Sequence, residues 1–202
     1  MSVIAHADPA NPDPFGPARA ILASRPTPPL SHDRSLALVA EDSTTGAVVG
    51  ALLGGPPRWL FTHPGIDEVS LREHLVYRLG MINGFAVHPA HRRRGLGTAL
   101  LRTAEQRFAQ NRYGLVTLDH QPNLDPFYRR QGYTVDDALL VHLPQQRLIG
   151  MTVDDTRMSA KPLHPAVRLA EVPGAPHRII TGLLPGASLP AHARFDGNRL
   201  QY

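Results

Sequence analysis

Met81 to Gln110 reads MINGFAVHPAHRRRGLGTALLRTAEQRFAQ, and the order of its parts sets the architecture around it. It opens as an apolar, strand-like run through Met81, Ile82, Phe85 and Val87 that stops at Pro89. Arg92, Arg93 and Arg94 follow, then Gly95-Leu96-Gly97. After the glycines Leu100, Leu101, Ala104 and Phe108 recur at helical spacing, with Arg102, Glu105 and Arg107 on the other side. A helix start carries unpaired N–H groups and a partial positive charge. Glycines let an anion approach the backbone there, and arginines add charge-assisted hydrogen bonds. Strand, arginines, glycines and helix in this order therefore point to a phosphate-holding turn.

Two familiar phosphate motifs do not fit. A dinucleotide fingerprint G-x-G-x-x-G needs a glycine where Leu100 stands, and no Gly-Lys-Ser/Thr of a P-loop is present. The chain of 202 residues is long enough for one full core and an appendage. It has 42% hydrophobic and 19% charged residues, an ordinary globular balance. No apolar run approaches the roughly 20 residues that cross a bilayer. The opening MSVIAHADPANPDPFG lacks a basic and then apolar leader, so a cytoplasmic protein is expected. With no cysteine, disulfides, thiolate metal sites and a cysteine nucleophile are excluded. The 11 histidines include no His-x-x-x-His pair framing a glutamate, so no metal is expected. Net charge is +4, Lys161 is the one lysine, and no basic run extends beyond Arg92–Arg94. Aromatics are 6%, so no nucleic-acid surface is expected.

On the N-terminal side, residues 1–14 are rich in Pro, Asp and Asn and are expected to be flexible. Phe15–Ser24 suggests a short helix. Ser35–Glu41 and Ala47–Leu53, split by Asp42-Ser43-Thr44-Thr45-Gly46, predict a β-hairpin whose edge Trp59–Phe61 could continue. Ile66–Leu79 predicts a helix. On the C-terminal side, Leu115–His120 predicts a strand, and Pro126 and Gly132 suit the start and the end of a following helix. Ala138–Leu143 and Arg147–Val153 read as closing strands. From Thr156 onward the tail alternates Pro and Gly with short apolar pieces; it could add a strand, wrap the core or meet a second subunit.

Two motifs in this frame carry a resemblance. Arg92-Arg93-Arg94-Gly95-Leu96-Gly97, after Phe85-Ala86-Val87-His88-Pro89, resembles the Arg/Gln-x-x-Gly-x-Gly/Ala signature of the GNAT N-acetyltransferase superfamily. Phe127 to Tyr133 matches the superfamily's second motif, Phe-Tyr-x-x-x-Gly-Phe/Tyr, in full. The resemblance covers about residues 15–155, taken as one acyltransferase domain, with 156–202 as an extension of open role. It implies an α/β fold, a mixed and mostly antiparallel sheet flanked by helices, and acetyl-CoA as acyl donor to an amine. The amides of Arg93, Arg94, Gly95, Leu96, Gly97 and Thr98 would cradle the CoA pyrophosphate, with Arg92 beside them. The backbone of Phe85, Ala86 and Val87 would pair with the pantetheine arm, and Asn123 would join the CoA contacts.

The resemblance also assigns chemistry. Tyr128 matches the family tyrosine that protonates the departing thiolate. An alkylamine with a pKa near 10.4 is neutral in about one molecule per 2,500 at pH 7, so a base addresses roughly 4–5 kcal/mol. Many members carry a glutamate four residues before the valine matched by Val87, and here that residue is Asn83. His120 is the first replacement to consider and Glu73 the second, with Glu68 and His74 also in view. A histidine can accept a proton near neutral pH without burial. The acceptor could be a small molecule, a peptide terminus or a protein lysine. Alternatives keep the fold but change the donor to a longer acyl-CoA or an aminoacyl-tRNA, or leave a non-catalytic CoA-binding module.

Overall fold

The computed structural model describes residues 34–202 together with the backbone of Ser2–Ile4; the helix expected at Phe15–Ser24 lies outside the described residues. The elements run β1 (Ser2–Ile4), β2 (Leu36–Glu41), β3 (Val48–Gly55), α1 (Val69–Val76), β4 (Leu79–Val87), α2 (Leu96–Gln110), β5 (Leu115–His120) and α3 (Asp125–Arg130). They continue with β6 (Thr134–Asp136), β7 (Leu139–His142), β8 (Leu148–Met151), β9 (Arg157–Pro162), β10 (Arg168–Ala170), β11 (Ile179–Thr181), β12 (Arg194–Phe195) and β13 (Leu200–Gln201). The result is a mixed α/β architecture with a mostly antiparallel sheet: β1/β2, β2/β3, β3/β4, β5/β9, β6/β9, β7/β8 and β10/β11 pair antiparallel, and β11/β7 pair in parallel.

The chain divides into two compact units, Met1–Pro57 with Gly80–Asn111, and Arg58–Leu79 with Arg112–Tyr202. In the first, β1, β2, β3 and β4 pair in that order, all antiparallel. The hairpin β2/β3 forms where the sequence predicts it, because Asp42 shapes the reversal. Its Oδ1 accepts hydrogen bonds from the amides of Thr44 (2.9 Å) and Thr45 (3.1 Å), and Gly46 takes φ 70°. Ser2–Ile4, expected to be flexible, instead pair with Val39–Glu41. The β-branched Val3-Ile4 suit a strand.

Helix α2 packs on β2 and β3 and buries Leu100, Leu101, Ala104 and Phe108, the face its periodicity predicts, together with Leu96 and with Glu105, which the spacing placed on the other side. Two glycines on β3 let it come close. A Cβ at Gly50 would stand 3.1 Å from Leu100, and one at Gly54 would stand 3.0 Å from the Phe108 ring and 3.1 Å from the Met81 carbonyl oxygen.

In the second unit β5, β9 and β6 pair in that order, and a separate sheet runs β10, β11, β7, β8. Their core joins Leu60, Ile66, Leu71 and Leu75 to Leu115, Val141, Ile149, Met158 and Ile180. Two expectations change here. Trp59–Phe61 does not extend the hairpin edge but turns as a 3-10 helix, Arg58–Phe61. The preceding Pro56 and Pro57 have no N–H to continue a ladder. The helix expected over Ile66–Leu79 is only Val69–Val76. Arg147 holds the segment before it, donating to the Gly65 carbonyl (2.7 Å), Asp67 (3.0 Å) and Glu68 (3.1 Å), and Glu68 stays extended at ψ 124°. Leu79 already belongs to β4. The tail adds strands: β9 pairs with both β5 and β6, β10 and β11 join the separate sheet, and β12 and β13 pair with each other.

The close seat of α2 makes a direct prediction. Gly54→Ala forces a methyl against the Phe108 ring and the Met81 carbonyl, so it should destabilise by about 1–3 kcal/mol. Chemical denaturation should show a lower midpoint with an unchanged slope; a midpoint equal to wild type would mean that the helix shifts freely.

Candidate active-site elements

The turn expected to hold a phosphate lies within the first unit and is built from its backbone outward. Strand β4 ends at Val87, and a 3-10 turn, Pro89–His91, reverses the chain. The His91 amide donates to the His88 carbonyl (2.9 Å), while the His88 amide ties back to Val49 (2.8 Å). Arg93 then takes φ 60° and Gly95 φ 82°, both in the left-handed region. Such alternation turns successive N–H groups toward one side, an anion-binding concavity. Gly95 is the N-cap and offers no side chain to close the helix start. The first helical bond runs from the Ala99 amide to the Gly95 carbonyl (2.9 Å), so Leu96, Gly97 and Thr98 precede it in the turn whose donors a helix leaves open. Arg92, Arg93, Arg94 and Gly95 are exposed. Arg92 has a local task as well, its Nε donating to the Val87 carbonyl (3.0 Å), which braces the strand exit.

Behind the turn, Phe85, Ala86 and Val87 pair with Leu52, Ala51 and Gly50. The register then slips, with Leu53 opposite Gly84 and Gly54 opposite Ile82. Asn83 is therefore the extra residue of a β-bulge, and its side chain is exposed. Bulges re-aim a side chain out of the ladder's alternation. The position where many superfamily members carry glutamate is thus locally distinct, and it holds an amide here.

The other expected catalytic groups belong to the second unit. Tyr128 sits on α3, a helix of six residues with Pro126 in its first turn and Asp125 paired to Arg129 at 3.8 Å. The Tyr133 amide closes the helix end on the Tyr128 carbonyl (3.1 Å). The Tyr128 ring is 4% exposed and enclosed by three others. His120 lies at 4.4 Å with a tilt of 31°, Phe127 edge-on at 5.0 Å and Tyr133 edge-on at 5.7 Å. Burial, and secondarily the Asp119 carboxylate, pushes its phenol up to about 12. The protein's stability therefore has the full contribution of this group below about pH 10 and loses it as pH rises through about 12.

His120 is not poised as the open base it was expected to be. It is 6% exposed; Nδ1 meets the Gln121 carbonyl at 2.9 Å, and Nε2 meets the Ser159 hydroxyl at 2.8 Å. A carbonyl only accepts, so Nδ1 carries a proton, and in the neutral ring the Nε2 lone pair is occupied by Ser159. Asp125 Oδ1 stands 3.8 Å from Nδ1. Glu73 and His74 are exposed on α1, and Glu68 is exposed just before it. Asn123 is exposed in a 3-10 turn, Pro122–Leu124. Of the expected catalytic residues, His120 and Tyr128 are brought together, their rings 4.4 Å apart, while Glu73 is exposed on α1. Two residues escaped the sequence reading. Asp119 is signalled only by being the exposed position in the otherwise buried strand LVTLDH, and Ser159 by nothing local. Among the described residues no group of three or more His, Asp or Glu could hold a metal ion.

Residues 3–133 match the model of the Acetyltransferase (GNAT) family, and the chain belongs to that family. No curated protein matches it. Among solved structures, a Klebsiella pneumoniae protein assigned provisionally as an acyl-CoA N-acyltransferase is similar with a TM-score of 0.50 and 16% identity, over 81% of this chain and 97% of that one. Nourseothricin acetyltransferase is 20% identical over 66% of this chain and 68% of its own, with a TM-score of 0.44. The ribosomal-protein-S18-alanine N-acetyltransferase of Escherichia coli is 15% identical over 66% and 72%, with the same score. At 16% identity the likeness to the Klebsiella pneumoniae protein concerns the fold alone.

Gly95 offers a test of the turn itself. A Cβ there would meet nothing within 4 Å, so Gly95→Ala tests backbone conformation without steric conflict. The left-handed φ should cost about 1–2 kcal/mol, read by denaturation. Calorimetric titration should show weakened CoA binding as the turn relaxes. Wild-type stability together with wild-type CoA affinity would mean that the left-handed geometry is dispensable.

Proposed function

We propose that the protein is an N-acetyltransferase that moves an acetyl group from acetyl-CoA to a primary amine by direct transfer. One observation carries the reading: a left-handed, arginine-rich turn opens α2 with an N-cap that has no capping side chain. Those amides and the exposed Arg92, Arg93 and Arg94 fit a pyrophosphate, which accepts several hydrogen bonds and carries the opposite charge. Gly97 and Thr98 continue the same cradle, and Phe85, Ala86, Val87 and Asn123 supply the remaining contacts that the family resemblance implies. Acetyl-CoA, when bound, supplies the acyl group activated as a thioester.

Tyr128 is the hydrogen-bond donor to the leaving thiolate in this reading. With a phenol near 12 against a thiol near 8.5, outright proton transfer would be uphill by about 5 kcal/mol. The hydroxyl therefore acts by stabilising developing charge and keeps its proton throughout the neutral range. Proton removal from the amine does not fall to Asn83, which has no basic form, nor directly to His120, whose lone pair Ser159 holds. Water takes that proton, and Asp119, exposed at the end of β5, attracts the ammonium form. The acceptor is thus an alkylamine, cationic in solution.

Asn83 and the closed His120 also favour one other reading, a CoA-binding module without turnover. Release of CoA with a panel of amines decides between them: sustained release supports the enzyme, and CoA binding without release supports the module.

Tyr128→Phe keeps the ring and should keep CoA affinity while lowering kcat by about 10²-fold. The wild-type profile of kcat/KM should rise through the amine's own pKa, with no inflection at pH 6–7, and should keep that shape in Glu73→Gln. Because the phenol is raised, no descending limb from Tyr128 should appear below about pH 11. An ascending limb near pH 6–7 that His120→Gln abolishes would restore His120 as the base.

A further inference from the structure

We propose that Ser159, acting through His120, is a positioning residue for Tyr128. The inference rests on the reading of Tyr128 given above and adds a residue that lies beyond the family match, which ends at 133. Ser159 is fully buried at the middle of β9, opposite Leu118 of β5 on one side and Val135 of β6 on the other. Ladders on both sides fix its backbone. Its Oγ lies 2.8 Å from His120 Nε2, and the Gln121 carbonyl lies 2.9 Å from Nδ1, so the imidazole is gripped at both nitrogens. The proton assignment follows from the partners: Nδ1–H donates to the carbonyl, and Nε2 accepts from the serine hydroxyl.

A buried histidine needs both bonds simply to be tolerated. That need alone does not account for what the ring faces. The His120 ring lies 4.4 Å from the Tyr128 ring at a tilt of 31°, the only one of three neighbouring rings that meets Tyr128 with its face rather than edge-on. Helix α3 has six residues, too few to be rigid by itself, so the site of the Tyr128 hydroxyl depends on what its ring rests against. The order of support is β9, then His120, then Tyr128. Without the Ser159 hydroxyl the imidazole keeps one anchor and can pivot about it, and the platform under Tyr128 moves. A displacement of about 1 Å at a reacting group can cost about 10²-fold in rate.

The test uses the full chain and two variants, Ser159→Ala and Ser159→Thr. Long-range ¹H–¹⁵N spectra should find wild-type His120 protonated on Nδ1 and accepting at Nε2; the opposite tautomer would overturn the proposal. In Ser159→Ala, kcat should fall by about tenfold or more while KM for acetyl-CoA stays within about twofold, and Ser159→Thr should recover most of the loss. Unchanged kcat in the alanine variant would overturn it, as would a threonine variant that folds with its hydroxyl in place and gains nothing. The third measurement needs no turnover. Ring flipping of Tyr128, followed by NMR, should be faster in Ser159→Ala than in wild type by about tenfold, and equal rates would overturn the positioning role. If the wild type transfers no acetyl group to any amine, the enzymatic reading fails, and the tautomer and ring-flip results still decide this one.

Discussion

The helix Leu96–Gln110 begins with amides that no carbonyl of its own can reach, and it holds that open start because it is fixed along its length by apolar contact. Leu100 rests over Gly50 and Phe108 over Gly54, each at a spacing that one added methyl would crowd. The strand that carries those glycines also pairs with Phe85, Ala86 and Val87, just before the turn. Strand exit, turn and helix start are therefore referred to one piece of backbone, β3. The polar start of the helix is held in place by the hydrophobic face along its length.

Burial has opposite consequences for the two groups expected to handle protons in the second unit. For Tyr128 it removes water from the phenol and raises it, which lengthens the range over which the hydroxyl remains a donor. For His120 it requires partners at both ring nitrogens, and those partners occupy the lone pair that a base would use. The same enclosure keeps the proton on one residue and a hydrogen bond on the lone pair of the other. An alkylamine acceptor would then reach the reactive state through its own ionisation, and an exposed carboxylate such as Asp119 contributes attraction rather than proton transfer.

Much of the fold was legible in the sequence because its signals are contiguous. The hairpin followed from two apolar runs around an Asp-to-Gly reversal, and α2 followed from the spacing of Leu100, Leu101, Ala104 and Phe108. The turn was legible for the same reason, since arginines, glycines and helix start lie within a few residues. What could not be read depends on distant partners. Nothing near Ile66 announces that Arg147 will hold residues 65–68 extended and shorten the helix. Nothing near Asn83 announces a bulge, which exists only as a mismatch of register with β3. His120 looked like an available base because Ser159, 39 residues later, is invisible to any local pattern. An added strand was one of three roles open to the tail, but its place was hidden, since RMSAKP alternates poorly and becomes a strand by lying between two others.

That last placement bears on how the chain is made. Strand β9 is synthesised after both β5 and β6, yet it separates them in the sheet. A ribosome that has released everything through Tyr133 has released both recognisable motifs, but β5 still lacks β9 along one edge. Until residues 157–162 emerge, that edge offers unpaired N–H and C=O groups to any neighbouring strand. For a nascent chain the interval is a window in which wrong pairing competes with folding. A fragment trimmed to the family match would never leave that window: it would contain the signature residues and lack the strand that pairs with β5.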